Sequence, residues 1–145
     1  MATLYEQDFY AWSQEQARLL RAGELTQADI EHIAEEIESM GKTEKRELVN
    51  RLSVLLLHLL KWQFQPGRRG ASWQATIRVQ RDDLKDHLDD NPSLRNQLGG
   101  AITSAYRKAV ITAGGETGLP EKTFATDCPW SFEQIMDDSF WPESI

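Results

Sequence analysis

The chain has 145 residues, of which 40% are hydrophobic and 27% charged, and its formal net charge is −7. This length suits one ordinary domain, and the composition suits a folded globular protein rather than a disordered one. The acidic balance argues against non-specific nucleic-acid binding by the whole surface. The one cysteine, Cys128, excludes an internal disulfide and a metal site made of cysteines alone. Residues 1–10 contain acids and no basic stretch, so we expect no signal peptide.

Helical periodicity predicts two helices in the first forty residues. Thr3 and Glu6 have the spacing of a capping box, and Gly23 predicts the end of the first helix. Thr26 with Asp29 predicts the start of the second helix in the same way. The apolar stripe of this second helix consists of Ile30, Ile33, Ala34, Ile37 and Met40.

The most apolar helix is predicted from about Thr43 to Phe64, and we expect it at the centre of the fold. Gly41 leaves two alternatives open: the second helix kinks there and continues, or Thr43 caps a new helix. The longest apolar run, at 54–57, is far shorter than the roughly 20 residues that a membrane-spanning helix needs.

Two further helices follow. Ser72 is the predicted N-cap of the fourth helix, while Asn91 caps the fifth and Pro92 takes its first position. Glycines from Gly114 to Gly118 end the fifth helix.

The residues from Glu121 onward resemble a loop with one short helix, because Ser131 and Gln134 form a capping box. Phe140 and Trp141 are expected to fold back onto the bundle. No stretch alternates convincingly with the period of a strand. The sequence therefore predicts an all-α single domain over 1–145. It has about five helices in roughly up-and-down order within 4–116, and a C-terminal strap, a loop with a short helix, over 117–145.

A basic interval runs from Lys61 to Arg81 and contains five bases, no acid and several aromatic residues. Such an interval could hold a phosphate, a carboxylate or a nucleic-acid strand, because arginine forks suit oxyanions and indole faces suit nucleic-acid bases. The predicted binding residues are His58, Lys61, Trp62, Arg68, Arg69, Trp73, Arg78 and Arg81, and Arg69 and Arg81 are expected to supply the forked hydrogen bonds. The alternative stays open that the tryptophans are core residues and that the arginines are solvated or pair with the aspartates at 82–86.

The histidines raise the hypothesis of a metal-dependent enzyme that uses His58 and a glutamate of the second helix. A helical wheel places His32 and Glu35 in solvent, His58 at the edge of the leucine stripe, and His87 nearer the inward face of its helix. Because the spacing matches no closed metal motif, we assign no metal ligand, no cofactor and no catalytic residue.

Three other polar residues were considered. Gln16 and Gln80 lie within apolar stripes and are expected to join His58 or His87 in a polar network. Cys128 has no histidine near it in the sequence, so we interpret it as an incidental thiol rather than a nucleophile.

Several segments resemble the bacterial domain of unknown function 29 family. They are Tyr5–Trp12, Ile33–Gly41, Leu55–Gln63, Ser72–Trp73, Gln80–Arg81, Pro92–Leu94 and Cys128–Trp130. The resemblance implies a compact helical protein of bacteria, and it implies no reaction, cofactor or catalytic residue.

We expect a cytoplasmic, non-enzymatic binding or protein-interaction module. Its partner is expected to be another protein, a second copy of the chain or a small anionic ligand, and we expect neither nucleic acid nor a membrane as partner. A purely structural, oligomerising protein is a further alternative, because the first 40 residues carry nine acids and two bases and form an acidic region that could dock on a partner.

Overall fold

The computed structural model of the chain describes residues 3–145 and confirms the all-α fold. The helices are α1 (Leu4–Gln7), α2 (Phe9–Arg21), α3 (Ile30–Phe64), α4 (Ala71–Asp90), α5 (Leu98–Thr117) and α6 (Phe132–Met136), with short 3-10 helices at Pro66–Arg68, Pro92–Gln97 and Glu121–Thr123. Residues 3–145 contain no strand, and none of their helices combines the length and the apolar character that crossing a bilayer requires.

The helices form two compact units. We call the described residues up to Thr43 the N-terminal unit, and Glu44–Ile145 the C-terminal unit. The assignment of all of 1–145 to one domain stays a prediction.

The beginning of the chain differs from the single first helix that periodicity predicts. The hydroxyl of Thr3 accepts a hydrogen bond from the Glu6 amide, as its capping role predicts. The helix nevertheless breaks at Asp8, whose φ of −148° is not helical, and the Asp8 carboxylate caps α2 by accepting from the Ala11 amide. Gly23, with a φ of +74°, follows the end of α2 in a conformation that favours glycine.

Helix α3 is continuous through Gly41 over 35 residues. Of the two alternatives at Gly41, continuation of the second helix is confirmed and a new helix starting near Thr43 is wrong, while the predicted end at Phe64 is confirmed. A single glycine costs a helix only about 1 kcal/mol, which the propagating hydrogen bonds on both sides offset. At the start of α3, the Asp29 carboxylate accepts from the His32 amide, so Asp29 rather than Thr26 is the capping residue.

The core of the C-terminal unit is made by three helices and the tail. The fully buried side chains of α3 are Leu48, Leu52, Leu55, Leu56, Leu59 and Leu60. They pack with Ile77, Leu84 and Leu88 of α4, with Ala101, Ala105, Ala109 and Ala113 of α5, and with Phe124, Trp130 and Ile135. The alanines of α5 are small, which lets neighbouring elements approach closely.

The N-caps predicted for α4 and α5 are both wrong. Gly70, not Ser72, precedes α4. The Asn91 side chain donates to the carbonyl of His87 at the end of α4, and Pro92 begins a 3-10 helix rather than α5. Gly118, with a φ of +77°, ends α5 as predicted.

The tail folds back as predicted. The capping box of Ser131 and Gln134 is present at the start of α6. Ile135 of α6 is fully buried, and Phe140 and Trp141 pack against the core.

Candidate functional site

The basic interval contains the end of α3, a 3-10 turn and most of α4. Arg69, which follows the turn, binds two backbone carbonyls. Its Nε donates to the oxygen of Trp62 at 2.7 Å, and its Nη2 donates to that of Pro142 at 3.5 Å. Its guanidinium also lies over the Trp62 ring, 5.0 Å from the centroid. Arg69 thus holds the tail against the end of α3.

Arg81 is the largest buried polar group of the C-terminal unit, with 2% of its surface exposed. Its Nε donates to the carbonyl of Ile135 at 2.8 Å, and its Nη2 donates to that of Phe140 at 2.7 Å. Burial lowers the pKa of the guanidinium, and Asp138 and Asp137 oppose that shift. Its Nη1 is buried and has no hydrogen-bond acceptor among residues 3–145.

The two arginines meet one aromatic pair. The rings of Trp62 and Trp141 are 4.6 Å apart, with Arg69 over Trp62 and Arg81 over Trp141 at 5.4 Å. Four side chains from α3, the loop after it, α4 and the tail therefore form one row. Its hydrogen bonds go to the protein's own backbone, so the forks expected to face an anion are largely occupied.

The other predicted residues are more dispersed. Lys61 lies over the Trp73 ring at 4.8 Å and forms an ion pair with Glu116 at 3.6 Å. The imidazole Nδ1 of His58 donates to the carbonyl of Val54 at 2.8 Å, and burial lowers the pKa of that histidine. Arg68 and Arg78 are exposed.

A cleft of about 1050 Å³ lies beside α4, and Arg78 and Arg81 are the predicted residues that line it. Its other basic residues are Lys85 and Arg95, its acidic residues are Asp82, Glu133 and Asp138, and its larger apolar side chains are Val79, Leu88, Phe132, Met136 and Trp141. Four bases against three acids give the cleft a small positive charge in a chain whose total charge is −7.

The N-terminal unit contains a small polar and aromatic cluster. His32 stacks on Tyr5 at 4.0 Å, and its Nδ1 contacts the Asp29 carboxylate at 2.7 Å. Asp29 also accepts from the indole of Trp12 at 3.1 Å. The bond to Asp29 raises the pKa of His32, and the same bond lowers the pKa of Asp29. The hydroxyl of Tyr5 donates to Glu36, which raises the pKa of Tyr5 to about 12. His32 is therefore half-buried and paired, not solvated as predicted.

The same unit leaves most of its large hydrophobic side chains in solvent. Trp12 and Leu19 are the buried hydrophobic side chains of its described residues. The exposed ones are Leu4, Phe9, Tyr10, Leu20, Leu25, Ile30, Ile37 and Met40. The predicted stripe of the second helix is thus exposed at Ile30, Ile37 and Met40. We call these eight side chains the apolar face.

A family model described as "Domain of unknown function DUF29" matches residues 4–141. The chain belongs to the DUF29 family. The predicted membership is confirmed, and it extends over both units of the protein. No curated protein and no solved structure matches the chain.

Some polar contacts of this DUF29 protein differ from those that its sequence predicts. The expected polar network of Gln16 and Gln80 with a core histidine is absent from the described residues. The side chain of Gln16 accepts from the Asp29 amide at 2.7 Å, and the buried Oε1 of Gln80 has no hydrogen-bond partner among residues 3–145.

The predicted inward position of His87 is confirmed, but its neighbour Glu44 lies 43 residues away in the sequence. The thiol of Cys128 is partly buried and donates to the Trp130 carbonyl, and burial raises its pKa, which does not favour a nucleophile.

Proposed function

We propose that this bacterial protein is a cytoplasmic, non-enzymatic protein-interaction module whose N-terminal unit binds a basic amphipathic helix of another protein. The observation that carries the proposal is the apolar face. Of the twelve large hydrophobic side chains exposed in residues 3–145, eight belong to it, although the N-terminal unit is less than a third of the chain. Large hydrophobic side chains exposed in such numbers on a small part of a chain are typical of interaction sites. The lone thiol of Cys128 suits a reducing compartment.

Charge favours a basic partner. Residues 1–43 carry nine acidic and three basic side chains, a net charge of −6, whereas residues 44–145 carry a net charge of −1. Nearly all of the protein's excess negative charge therefore lies in the segment that carries the apolar face. An acidic, apolar surface attracts a segment with lysine or arginine on one side and apolar residues on the other, and it repels nucleic acid.

The spacing on α3 fits a helical ligand. Ile30 and Ile37 are seven residues apart and share one side of the helix with Ala34, while Met40 lies beside them. Two helical turns of exposed aliphatic side chains are what an amphipathic helix contacts through its own i, i+3, i+4 and i+7 positions.

A second copy of the chain fits the apolar face less well than a basic helix of another protein does. Two N-terminal units facing each other would bring charges of −6 together. The C-terminal unit has only four large exposed hydrophobic side chains among its residues, at Val54, Val79, Ile111 and Ile145.

The test uses a synthetic helical peptide of about 14 leucine and lysine residues, with a leucine and glutamate peptide of the same pattern as comparison. We expect the full chain to bind the basic peptide and not the acidic one in a calorimetric titration. The double variant Ile37→Ser/Met40→Ser is expected to bind about tenfold more weakly or worse. The matched control is Ile111→Ser, which removes an aliphatic side chain of similar exposure from the C-terminal unit and leaves binding unchanged.

Two results would overturn this function. Equal affinity of the wild type and the double variant for the basic peptide would show that the apolar face takes no part. A stable dimer in sedimentation experiments that the double variant abolishes would replace the foreign helix with a second copy.

A second candidate function is binding of a small anion in the cleft, and the basic side chains that line it favour this function. Arg78, Lys85 and Arg95 lie there, and guanidinium and ammonium groups donate charge-assisted hydrogen bonds to carboxylate or phosphate oxygens. Titration with citrate and with inorganic phosphate tests this function. Binding that weakens in Lys85→Gln/Arg95→Gln but not in Arg68→Gln, outside the cleft, would support it, and the absence of binding by the wild type at low salt would contradict it.

A further inference from the structure

We propose that Glu44 and Glu47 of α3 and His87 of α4 form a binding site for a divalent transition-metal cation such as Zn²⁺. The site is separate from the apolar face and from the cleft described above. One ligand atom of each residue lies within 4.8 Å of the others. Glu44 and Glu47 are three residues apart, so both carboxylates leave the same side of α3.

His87 carries the inference. Its side chain is 9% exposed, and its Nε2 lies 2.9 Å from the backbone carbonyl of Glu44. A carbonyl oxygen only accepts, so Nε2 carries a proton and Nδ1 is the ring nitrogen that can bind a metal through its lone pair. Nδ1 is 3.7 Å from the Glu44 carboxylate, which is too long for a hydrogen bond, and residues 3–145 offer it no other partner. A metal-binding histidine is typically oriented by such a bond from its second nitrogen to a carbonyl.

The carboxylate of Glu47 is oriented in a comparable way. The Nε and Nη2 of Arg51 both donate to its Oε1, at 3.0 and 2.7 Å, so Oε2 remains free to bind a cation. The Nη1 of Arg51 donates to Asp83 at 3.0 Å and fixes a further carboxylate nearby.

The surroundings are strongly negative. The three residues lie in a depression of about 440 Å³, which is also lined by Arg51, Asp83, Asp86, Asp90 and Asn91. Five carboxylates against one guanidinium attract a cation, and they repel the anions that the cleft beside α4 would accept.

The ligand set indicates the class of metal. One imidazole nitrogen and two carboxylates suit Zn²⁺ and its first-row neighbours, whereas Mg²⁺ and Ca²⁺ prefer oxygen ligands alone. Bonds to such metals are about 2.0–2.2 Å long, which places the ligand atoms of a tetrahedral ion about 3.4 Å apart, so donor atoms as far as 4.8 Å apart must approach by about 1 Å or slightly more. The glutamate side chains are 45% and 41% exposed and are free to make that rotation.

The experiment is calorimetric titration of the chelator-treated full chain, without a histidine tag, with Zn²⁺ in the presence and absence of excess Mg²⁺. We expect one Zn²⁺ per chain that Mg²⁺ does not displace. His87→Gln and Glu47→Gln are each expected to raise the Kd about tenfold or more. Glu121→Gln, which removes an exposed carboxylate elsewhere, is the matched control and leaves the Kd unchanged.

Folding of each variant is checked by its helical circular dichroism, and Glu44→Gln provides a third test that keeps the buried imidazole intact. Absence of Zn²⁺ binding by the wild type overturns the proposal. Equal affinity of the wild type and the glutamate variants overturns it too, because the metal then binds elsewhere. Displacement by Mg²⁺ would show that the histidine nitrogen takes no part and would also contradict the proposed site.

Discussion

A single side chain, Arg81, joins the tail to α4. Its guanidinium satisfies the carbonyls of Ile135 and Phe140 and rests on the ring of Trp141. Hydrogen bonds from a charged donor are stronger than neutral ones. Without the guanidinium, the carbonyls of Ile135 and Phe140 would lose this donor. The arginine predicted to bind a ligand therefore has a structural role, because two of its three nitrogens donate to the protein's own backbone.

Arg81→Met is expected to lower the free energy of unfolding by about 3–5 kcal/mol, because two charge-assisted hydrogen bonds are lost and their acceptors stay buried. Urea unfolding followed by circular dichroism measures this change. Arg78→Met, on the exposed side of the same helix, is the control and is expected to change stability by less than about 0.5 kcal/mol. Similar losses in both variants would contradict the role given to Arg81.

The pair of His32 and Asp29 makes stability depend on pH. The folded-state pKa of His32 is raised above 6.5, so its contribution is present below pH 6.5 and is lost as the pH rises through the raised value. The folded-state pKa of Asp29 is lowered below 3.8, so its contribution is present above pH 3.8 and is lost as the pH falls through the lowered value.

The stabilisation by this pair is therefore expected to be greatest between about pH 4 and pH 6.5. Urea unfolding of the wild type and Asp29→Asn at a series of pH values checks it, since the difference in stability should shrink above neutral pH. Titration of the His32 ring by NMR provides an independent readout, with a lower pKa in Asp29→Asn. A difference in stability that grows with pH would refute the pairing.

At the scale of the element, the length of α3 is the main finding. Its N-terminal part is polar apart from the exposed stripe, and its C-terminal part is the centre of a core. One continuous helix is therefore exposed to solvent in its N-terminal part and packed in a hydrophobic core in its C-terminal part. Gly41 lies at the change between them and is exposed, with no atom within 4 Å of the position that a Cβ would occupy.

Gly41→Ala is expected to stabilise the protein by about 0.5–1 kcal/mol, because alanine loses less backbone entropy in a helix and meets no obstacle here. Thermal unfolding measured by circular dichroism tests this. Gly118→Ala is the contrasting variant: its φ of +77° strains any residue with a Cβ, and about 1–2 kcal/mol of stability should be lost. A destabilising Gly41→Ala would mean that α3 is not continuous in solution.

At the scale of the whole molecule, charge and apolar surface are distributed unevenly. The N-terminal unit has most of the excess acidic charge and most of the exposed large hydrophobic side chains, whereas the C-terminal unit has a well-filled core and nearly balanced charge. The buried core and most of the exposed large hydrophobic side chains thus lie in different parts of the sequence.

The free protein is accordingly expected to bind an uncharged hydrophobic dye such as Nile red at the apolar face. Ile37→Ser/Met40→Ser should reduce the dye fluorescence substantially while the urea midpoint changes little, because both side chains are largely in solvent. Val79→Ser, also an exposed position, should leave the fluorescence nearly unchanged. A large loss of stability in the double variant would show that these side chains are buried in solution.

Periodicity and local caps predicted much of this fold, because they depend on neighbours within a turn: the end of α5 at Gly118 and the capping box at Ser131 are examples. The partners of Arg81 lie 54 and 59 residues away and are backbone atoms, which carry no signature in the sequence. The stripe at 30–40 was recognised, but a periodic pattern does not say whether its partner belongs to the same chain.

Because the chain is synthesised from its N-terminus, the contact between Arg81 and Phe140 cannot form until Phe140 has been made. The carbonyl that Arg81 requires is made 59 residues after the arginine itself. At roughly 5–20 residues per second, translation takes about 3–12 s to cover that interval. During that time the guanidinium has no native acceptor and must stay hydrated. The contact of Arg81 with Phe140 therefore forms only after the ribosome has passed Phe140, whereas the N-terminal unit has been synthesised well before that point.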